Sequence, residues 1–450
     1  MNERRSASCS TNASTENKMK HIPHIETLSR NEIRSYQDDR LKEFLAYVAE
    51  NSAFYRKKFS DLAIDVHEIK SVDDLYKLPV TTKDDLHAHN EDFICVPRER
   101  IIDMITTSGT LGDPVTFAMT DKDLDRLAYN EYLSLSCAGT DERDVFQLMT
   151  TIDRRFMAGL AYFLGARRLG AGIIRVGNGM PELQWDTILR MKPTAFIVVP
   201  SFLLKLIEYA EANGIDYRNT SVKKAVCIGE TLRNPDFSFT TLARRILEKW
   251  DIELFSTYAS TEMSTAFTEC EHAVGGHQHP ELIIVEFLDD NDMPVADGEA
   301  GEVTVTTLGV EGMPLLRFKT GDLVYHYTEP CACGRTTTRL GPVIGRKQQM
   351  IKFKGTTLYP PALFDILDNI DGIDNYVVEV FTNELGTDEI MIRVCTKHPG
   401  DSFASRLKDR FRAKLRVAPA IVFDSFENIE NIRFPEENRK AINFIDKRKK

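Results

Sequence analysis

Short apolar segments and amphipathic segments alternate along the chain from about Asp144 onward. The apolar segments are rich in β-branched residues and predict strands at residues 144–151, 172–176, 194–200, 222–229 and 252–258. The amphipathic segments between them predict helices at residues 157–170, 182–191, 201–213 and 236–250. Because these strands are apolar on both faces and alternate with helices, the pattern predicts a mostly parallel, doubly wound sheet. Ligands of such sheets bind at the carboxyl ends of the strands.

The hydrophobic pattern changes twice after this region. Strands joined by short turns are predicted at residues 282–290, 301–308 and 314–327, which is typical of an antiparallel section. From about residue 347 a new mixture of helices and strands begins, and one predicted helix repeats an apolar residue every four positions, at Phe403, Leu407, Phe411 and Leu415. The chain is therefore predicted to be α/β, with a large doubly wound domain carrying an antiparallel section at residues 21–345 and a small α+β domain at residues 346–450. The polar, Ser/Thr/Asn-rich residues 1–20 predict a disordered leader.

Composition restricts the class of protein. A chain of 450 residues that is 42% hydrophobic and 28% charged is typical of a globular protein with more than one domain. Its apolar runs are shorter than the ~18–20 residues of a membrane helix, and its first residues lack a hydrophobic signal core, so we expect a cytoplasmic protein without a membrane partner. A net charge of −11 argues against nucleic acid as a partner, because phosphate backbones require a basic face.

A Ser/Thr/Gly-rich segment at residues 106–114, TTSGTLGDP, follows an apolar stretch. Hydroxyl groups interleaved with glycines allow O–H and backbone N–H donors to approach phosphate oxygens. The segment lacks the Gly-Lys-Ser/Thr end of the loop found in P-loop NTPases, which disfavours that class. A plain turn would have a similar composition, so the segment alone does not establish a phosphate site.

Four later segments add candidate chemistry, at residues 256–262 (STYASTE), 319–323 (KTGDL), 345–355 (GRKQQMIKFKG) and 437–448 (ENRKAINFIDKR). Tyr258 and Glu262 are predicted at the carboxyl end of a strand. Asp322 is predicted in a tight turn, where a carboxylate would accept hydrogen bonds from two ribose hydroxyls. Lys440 lies near the C-terminus. Each segment is weak evidence alone, whereas their order and spacing together are specific.

The cysteines suggest a second kind of site. Five of the eight cysteines are spread along the sequence, as is common in proteins whose thiols stay reduced. The other three lie in the segments ECEHAVGGH and CACG, the first of which also contains two histidines. The set that suits a closed, four-coordinate structural zinc site is Cys270, His277, Cys331 and Cys333. His272 and His279 are rival nitrogen ligands, and unpaired thiols beside a surface histidine are the alternative to a metal.

In these motifs the chain resembles the adenylate-forming enzymes, specifically their phenylacetate–CoA ligase branch. The resemblance runs from about Leu41 to Lys450 and includes GLAYFLGARRLGA, VVPSFLLKL, CIGETLR, TTLGVEGMPLLRFKTGDL, CACGRT and GRKQQMIKFKG. It implies a large AMP-binding domain and a mobile C-terminal lid. It also implies an AMP-forming acid–thiol ligase with two half-reactions: a carboxylate and ATP form acyl-AMP and pyrophosphate, and a thiol, that of CoA, then displaces AMP.

The resemblance also assigns roles to single residues. The ATP phosphates would contact Ser108, Gly109, Thr110 and Gly112. Gly229 and Glu230 would border the nucleotide and acyl pocket, Tyr258 would lie beside the adenine, and the nucleotide would also contact Ala259, Ser260 and Thr261. Glu262 would hold Mg²⁺, and Asp322 and Arg346 would hold the ribose. Lys440 would bridge the carboxylate and the α-phosphate. Members of the branch carry a similar Cys/His/Cys/Cys set, which favours zinc.

Several positions depart from the family pattern. Asp113 stands where the phosphate loop usually has lysine, Gln348 and Gln349 replace an acidic pair at the hinge, and Arg439 replaces the glycine before the catalytic lysine. Residues 355–363, GTTLYPPAL, match the corresponding family segment only loosely.

The resemblance predicts the substrate only as a class. We expect an aromatic carboxylic acid, aryl or arylacetic, and by resemblance a homodimer. The branch has small or aromatic residues at the positions of Arg154, Arg155 and Met157. If one of these arginines lies in the acid pocket, it would hold a polar or second carboxylate substituent of the acid. If it lies on the surface, it would have no such role. A carrier-protein phosphopantetheine thiol is an alternative acceptor to CoA, and a catalytically silent scaffold of the same fold is the alternative to an enzyme.

Overall fold

The computed structural model describes residues 21–107, 115–353, 356–383, 387–434 and 441–448. Over these residues the chain divides into two compact units. The first comprises the described residues up to Thr320 together with Val324–Pro342, and the second comprises Gly321–Leu323 and the described residues from Val343 onward. Each unit contains a hydrophobic core of its own.

The first unit begins with helices and a small antiparallel strand pair. In chain order these elements are α1 (Arg30–Asn51), α2 (Ala53–Asp61), α3 (Lys83–Ala88), β1 (Asp103–Thr106), β2 (Thr116–Met119) and α4 (Asp121–Cys137). Helix α1 begins at Arg30 because Ser29 and Glu32 form a capping box at its N-terminus. Among the described helices, none combines the length and the apolar character that a bilayer crossing requires.

The predicted alternation of strands and helices follows. Its elements are β3 (Val145–Leu148), α5 (Met157–Leu169), β4 (Gly172–Arg175), α6 (Pro181–Met191), β5 (Ala195–Val198), α7 (Pro200–Ala212), β6 (Lys224–Cys227), α8 (Thr241–Lys249), β7 (Glu253–Ser260) and β8 (Thr265–Thr268). The strands form one sheet in the order β4-β3-β5-β6-β7-β8. Every pair is parallel except β7 with β8.

Both faces of this sheet are covered, as the apolar strands predict. In β5, Ala195 and Ile197 belong to a core that includes Tyr162 of α5, whereas Phe196 and Val198 belong to a core that includes Trp185 of α6. Successive side chains of a strand point to opposite faces, so the two cores lie on the two faces of the sheet. The prediction of a doubly wound α/β fold is confirmed.

One helix is shorter than predicted. Residues 236–250 were expected to be helical throughout, but α8 begins only at Thr241, where the Thr240 side chain accepts a hydrogen bond from the backbone N–H of Ala243. The preceding residues form a turn in which the N–H of Asn234 donates to the carbonyl of Ser238 over 2.8 Å. A threonine cap therefore sets the start of the helix.

The antiparallel section contains β9 (Gly276–His277), β10 (Ile283–Leu288), β11 (Ala300–Thr307), β12 (Phe318–Tyr327), β13 (Arg339–Leu340) and β14 (Gly345–Arg346). The strand order is β10-β11-β12-β13-β9, and β14 pairs with β12. The pairing of β14 with β12 involves Asp322 and Leu323, which belong to the second unit.

The second unit continues with β15 (Ile351–Phe353), β16 (Thr356–Leu358), α9 (Pro360–Asp368), β17 (Asn375–Thr382), β18 (Asp388–Cys395), α10 (Asp401–Leu415), β19 (Ala420–Phe423), α11 (Phe426–Arg433) and β20 (Phe444–Asp446). Its main sheet has the order β19-β18-β17-β20, with an antiparallel central pair and a parallel pair on either side. The apolar repeat predicted in α10 faces the core, because Phe403, Leu407 and Phe411 are all buried. The segment therefore forms an α+β unit, as its pattern predicts.

Candidate functional site

The loops after β6 and β7 bring two groups of predicted nucleotide residues to the carboxyl edge of the parallel sheet. Gly229 and Glu230 lie two and three residues after the end of β6 at Cys227, and Glu262 lies two residues after the end of β7 at Ser260. The ring of Tyr258 is half-buried and stacks on Phe267, with centroids 6.0 Å apart. Because β6 and β7 are parallel neighbours, their carboxyl ends lie side by side.

Glu230 holds the loop after β6 against the start of α7. Its carboxylate accepts hydrogen bonds from the backbone N–H of Ser201 over 2.8 Å and from the Ser201 hydroxyl over 2.7 Å. The first turn of α7 has no side-chain cap of its own, so this carboxylate satisfies one of its free N–H donors. Glu230 therefore positions the loop that carries Gly229.

A buried ion pair connects the same loop to β7. The Arg233 guanidinium lies 3.0 Å from the Glu269 carboxylate and stacks on the Phe239 ring at 3.9 Å. Glu269 also accepts a 2.8 Å hydrogen bond from the backbone N–H of Ser256 in β7. Burial raises the pKa of Glu269, and Arg233 opposes that shift. The pair therefore fixes the loop after β6 against strand β7.

Arg126 of α4 anchors the turn that contains Glu262. Its guanidinium donates to the carbonyls of Ser264 and Leu282 over 2.6 Å and to that of Leu308 over 2.7 Å. Burial lowers the pKa of Arg126 to about 10. Ser264 has a left-handed backbone with φ of 47°, so an anchored carbonyl there stabilises the turn. Nothing in the sequence singles out Arg126, because its acceptors are three backbone carbonyls and the hydroxyl of the distant Thr265.

Asp322 and Arg346, the two residues predicted at the ribose, lie together. They are partners in the pairing of β12 with β14, and the Nε of Arg346 donates to Oδ1 of Asp322 over 3.1 Å. The prediction that Asp322 lies in a tight turn is wrong, because it lies inside the ten-residue strand β12. Gly321 has a φ of 82° but does not end the strand, so the glycine was a misleading turn signal.

The remaining predicted site residues lie outside the part of the chain that the structure describes. These are Ser108, Gly109, Thr110 and Gly112 of the Ser/Thr/Gly segment, Asp113 beside them, and Lys440 with its neighbour Arg439. The base of the segment is described: the N–H of Thr107 donates to the carbonyl of Val115 over 3.0 Å, and the N–H of Val115 donates to the Thr107 hydroxyl over 3.1 Å.

The predicted metal ligands converge in the first unit. The ligand atoms of Cys270, His277, Cys331 and Cys333 all lie within 4.8 Å of one another. The Cys270 and Cys331 sulfurs are 3.7 Å apart, and the Cys333 sulfur is 3.6 Å from Nε2 of His277. Ligands of a tetrahedral zinc, at bond lengths of ~2.3 Å for sulfur and ~2.05 Å for nitrogen, would be about 3.8 Å apart for two sulfurs and about 3.6 Å apart for sulfur and nitrogen. The four residues therefore fit a zinc ion.

The two rival histidines do not join this cluster. His272 is exposed, and His279 is fully buried with its Nδ1 2.5 Å from the Glu26 carboxylate. The other Glu26 oxygen accepts from Nε of Arg335 over 2.6 Å, and Arg335 donates to the Cys333 sulfur over 3.6 Å. Hydrogen bonds from Cys270 and Cys331 lower the pKa of Cys333.

Sequence reasoning missed these surrounding residues. Glu26 and Arg335 lie far apart in the chain, and Cys137, which packs against Cys270 and Cys331, appeared to be one of the scattered thiols. Only the spatial arrangement reveals them. Orienting groups of this kind commonly surround metal ligands.

Comparisons with known proteins identify relatives of this chain. The family described as AMP-binding enzyme matches residues 35–311. A phenylacetate–coenzyme A ligase of Thermus thermophilus is 30% identical over 85% of this chain and 85% of its own length. A phenylacetate–coenzyme A ligase of Escherichia coli is 30% identical over 79% of this chain and 81% of its own. The crystal structure of a 2-hydroxyisobutyryl-CoA ligase in complex with an acyl-AMP matches with a TM-score of 0.82 at 24% identity, over 94% of this chain and 91% of that one.

The fold and the edge loops of the sheet define an adenylate-forming enzyme. The chain belongs to the AMP-binding enzyme family and, within it, to the phenylacetate–coenzyme A ligase branch. It is accordingly an acid–thiol ligase.

Proposed function

We propose that this enzyme activates an aromatic carboxylic acid, aryl or arylacetic, with ATP and transfers the acyl group from acyl-AMP to the thiol of CoA. The observation that carries the proposal is the position of Gly229 and of residues 258–262 at adjoining strand ends of the doubly wound sheet. In a member of this branch, that edge is where an adenylate would bind. The aromatic class of the acid rests on the names of the relatives.

Charge stabilisation explains how the assigned residues would act. Adenylation places negative charge on the phosphoryl oxygens as pyrophosphate leaves, and preorganised cations next to those oxygens lower the barrier. Glu262 would hold Mg²⁺, which supplies such charge when bound. Lys440 would supply a second positive charge between the carboxylate and the α-phosphate. The C-terminal unit would act as the lid that brings Lys440 to the substrate.

The acceptor thiol can be tested separately from the acid. Free CoA and a carrier protein present the same phosphopantetheine end, and we propose free CoA because the relatives in this branch are named for it. Loading of a carrier protein with no turnover of free CoA would favour the alternative acceptor. We also propose, by resemblance, a homodimer, which sedimentation of the purified protein would test.

A structural zinc at Cys270, His277, Cys331 and Cys333 is part of the same proposal. Four protein ligands leave no open coordination position, so the metal would hold the fold rather than take part in the reaction. The measured sulfur–sulfur and sulfur–nitrogen distances support it.

Substituting Asp322 by alanine tests the ribose assignment. A carboxylate that accepts charge-assisted hydrogen bonds contributes about 1.5–3 kcal/mol, so we expect ATP to bind roughly 10- to 150-fold more weakly while the KM for the acid stays the same. Isothermal titration with ATP would measure the change. Asp297→Ala is a matched control, because Asp297 pairs with His326 of the same strand β12. Unchanged ATP affinity in the Asp322 variant would mean that the nucleotide binds elsewhere.

A further inference from the structure

The turn that carries two of the proposed zinc ligands also carries a buried arginine. The backbone N–H of Cys331 donates to the carbonyl of Arg335 over 2.8 Å, and Gly334 between them has a φ of 97°. The side chain of Arg335 lies beside the ligands, where its Nη1 donates to the Cys333 sulfur over 3.6 Å. Only 4% of Arg335 is exposed to solvent, so it belongs to the immediate surroundings of the metal site.

One carboxylate holds this arginine in place. Oε2 of Glu26 accepts a hydrogen bond from Nε of Arg335 over 2.6 Å, and Oε1 of Glu26 lies 2.5 Å from Nδ1 of His279. Glu26 and His279 are both fully buried. A buried guanidinium keeps its charge, and such a charge is tolerated when it is paired and hydrogen-bonded. Glu26 therefore fixes the guanidinium through one N–H group and leaves a different N–H group for the sulfur.

Glu26 belongs to a short 3₁₀ helix, His24–Thr27, which the same turn binds through its backbone. Thr336, the residue after Arg335, donates its backbone N–H to the carbonyl of Glu26 over 2.8 Å. The Thr336 hydroxyl donates to the carbonyl of Leu28 over 2.5 Å. These contacts place the Glu26 carboxylate beside an arginine that is 309 positions away in the sequence.

The chemistry of the ligands explains why such a donor would matter. Three thiolates outweigh the charge of one Zn²⁺, so the proposed centre would carry an excess of negative charge. A charged N–H donor to a metal-bound sulfur offsets that charge and fixes the direction of the ligand. The imidazole ligand has an orienting partner from the same part of the chain, because Nδ1 of His277 lies 3.4 Å from the Thr337 hydroxyl.

We infer that Arg335 is a positioning residue of the zinc site, which donates to the Cys333 thiolate and is itself held by Glu26. The metal site then extends through Arg335 from the CACG segment to the N-terminal 3₁₀ helix. The inference rests on the zinc of the proposed function, since without a metal the same residues would form only a structural ion pair.

The test is the zinc affinity of the full-length protein, measured by competition with a chromophoric chelator. Arg335→Gln should bind zinc about 10- to 100-fold more weakly, which is the usual effect of losing such a partner. Arg335→Lys should restore only part of the affinity, because an ammonium lacks the planar fork that reaches both the sulfur and the carboxylate. Glu26→Gln should weaken zinc binding by less than Arg335→Gln, because glutamine still accepts one hydrogen bond from Arg335.

A second buried ion pair of the first unit provides matched controls. The Arg317 guanidinium lies 3.0 Å from the Glu286 carboxylate, and neither residue belongs to the metal cluster. Arg317→Gln and Glu286→Gln remove the same chemical groups from an equally buried pair. Both variants should keep the native zinc affinity, even where they lower the unfolding temperature.

A spectroscopic measurement separates a role toward the metal from general stabilisation. With Co²⁺ in place of zinc, Arg335→Gln should shift the thiolate-to-metal charge-transfer absorption, because that band depends on the electron density at the sulfur. Arg317→Gln should leave the band unchanged. Unchanged zinc affinity or an unchanged band in Arg335→Gln would overturn the inference, and if that variant does not fold, the same two measurements on Glu26→Gln decide. Native protein that binds no zinc would refute the proposed metal site as well as this inference, whereas zinc-binding native protein with unaffected variants would refute the inference alone.

Discussion

Replacing Lys440 by alanine is expected to slow formation of acyl-AMP by about 10²–10³-fold, the scale of losing one preorganised electrostatic stabiliser. The same variant should convert supplied acyl-AMP and CoA to the thioester at nearly the native rate. The reason is that a lid which rotates between half-reactions would bring the Lys440 ammonium to the carboxylate and α-phosphate only during adenylation. During thiolation the side chain would face solvent. Single-turnover assays of each half-reaction would measure the two rates separately.

The controls for Lys440 come from the same basic tail. Lys450→Ala removes a charge ten positions further along and should leave both half-reactions unchanged. If Lys440→Ala also leaves both unchanged, Lys440 is only part of a solvated tail. Equal loss of both half-reactions would contradict a rotating lid, because it would indicate a damaged fold or a lid that does not move. The family usually has a glycine before the catalytic lysine, whereas this chain has Arg439. The test therefore also shows whether Lys440 keeps the family role next to an arginine.

Loss of the metal site is expected to have an equally large effect, on folding rather than on chemistry. Protein purified without chelator should contain close to one zinc per chain by elemental analysis. Structural zinc contributes about 10–16 kcal/mol of apparent binding free energy in small zinc-binding peptides, so Cys331→Ser should sharply lower both the yield of folded protein and its unfolding temperature. Folded variant protein that remains should keep its intrinsic adenylation rate, because the four-ligand site has no open position.

Matched thiols make the zinc test specific. Cys395 lies in β18 of the second unit and is not a member of the cluster, so Cys395→Ser should leave both the zinc content and the unfolding temperature unchanged. If well-folded native protein contains no zinc, the proposed metal site is wrong. The three sulfurs and one imidazole within 4.8 Å of one another would then be side chains packed together without a metal.

Local patterns predicted most of the fold. The strands of the parallel sheet are short and apolar on both faces, so each one is visible in the sequence, and β5 shows the alternation between two cores that the pattern implies. Elements with weak patterns were missed. The short helix α11 and the three-residue strand β20 were not predicted, because neither is long enough to establish a period.

The candidate site was predictable only where its residues are close together in sequence. The sequence alone indicates candidate site residues at 256–262 and in the two cysteine segments. It does not indicate Arg126 or Glu26, because these act through contacts with residues more than a hundred positions away. The error at Asp322 has a physical cause: a glycine with positive φ marks a turn in most contexts, but here the strand continues through it.

The most direct test of the central claim is acid-dependent exchange of pyrophosphate into ATP, measured with the purified protein and a panel of aryl, arylacetic and aliphatic carboxylic acids. The account predicts exchange with some of the aromatic acids. It also predicts that adding CoA converts the bound acyl-AMP to a thioester with release of one AMP per thioester formed. Protein that binds ATP and yet shows no exchange with any acid of the panel would contradict the account, and would identify the chain as a silent nucleotide-binding scaffold.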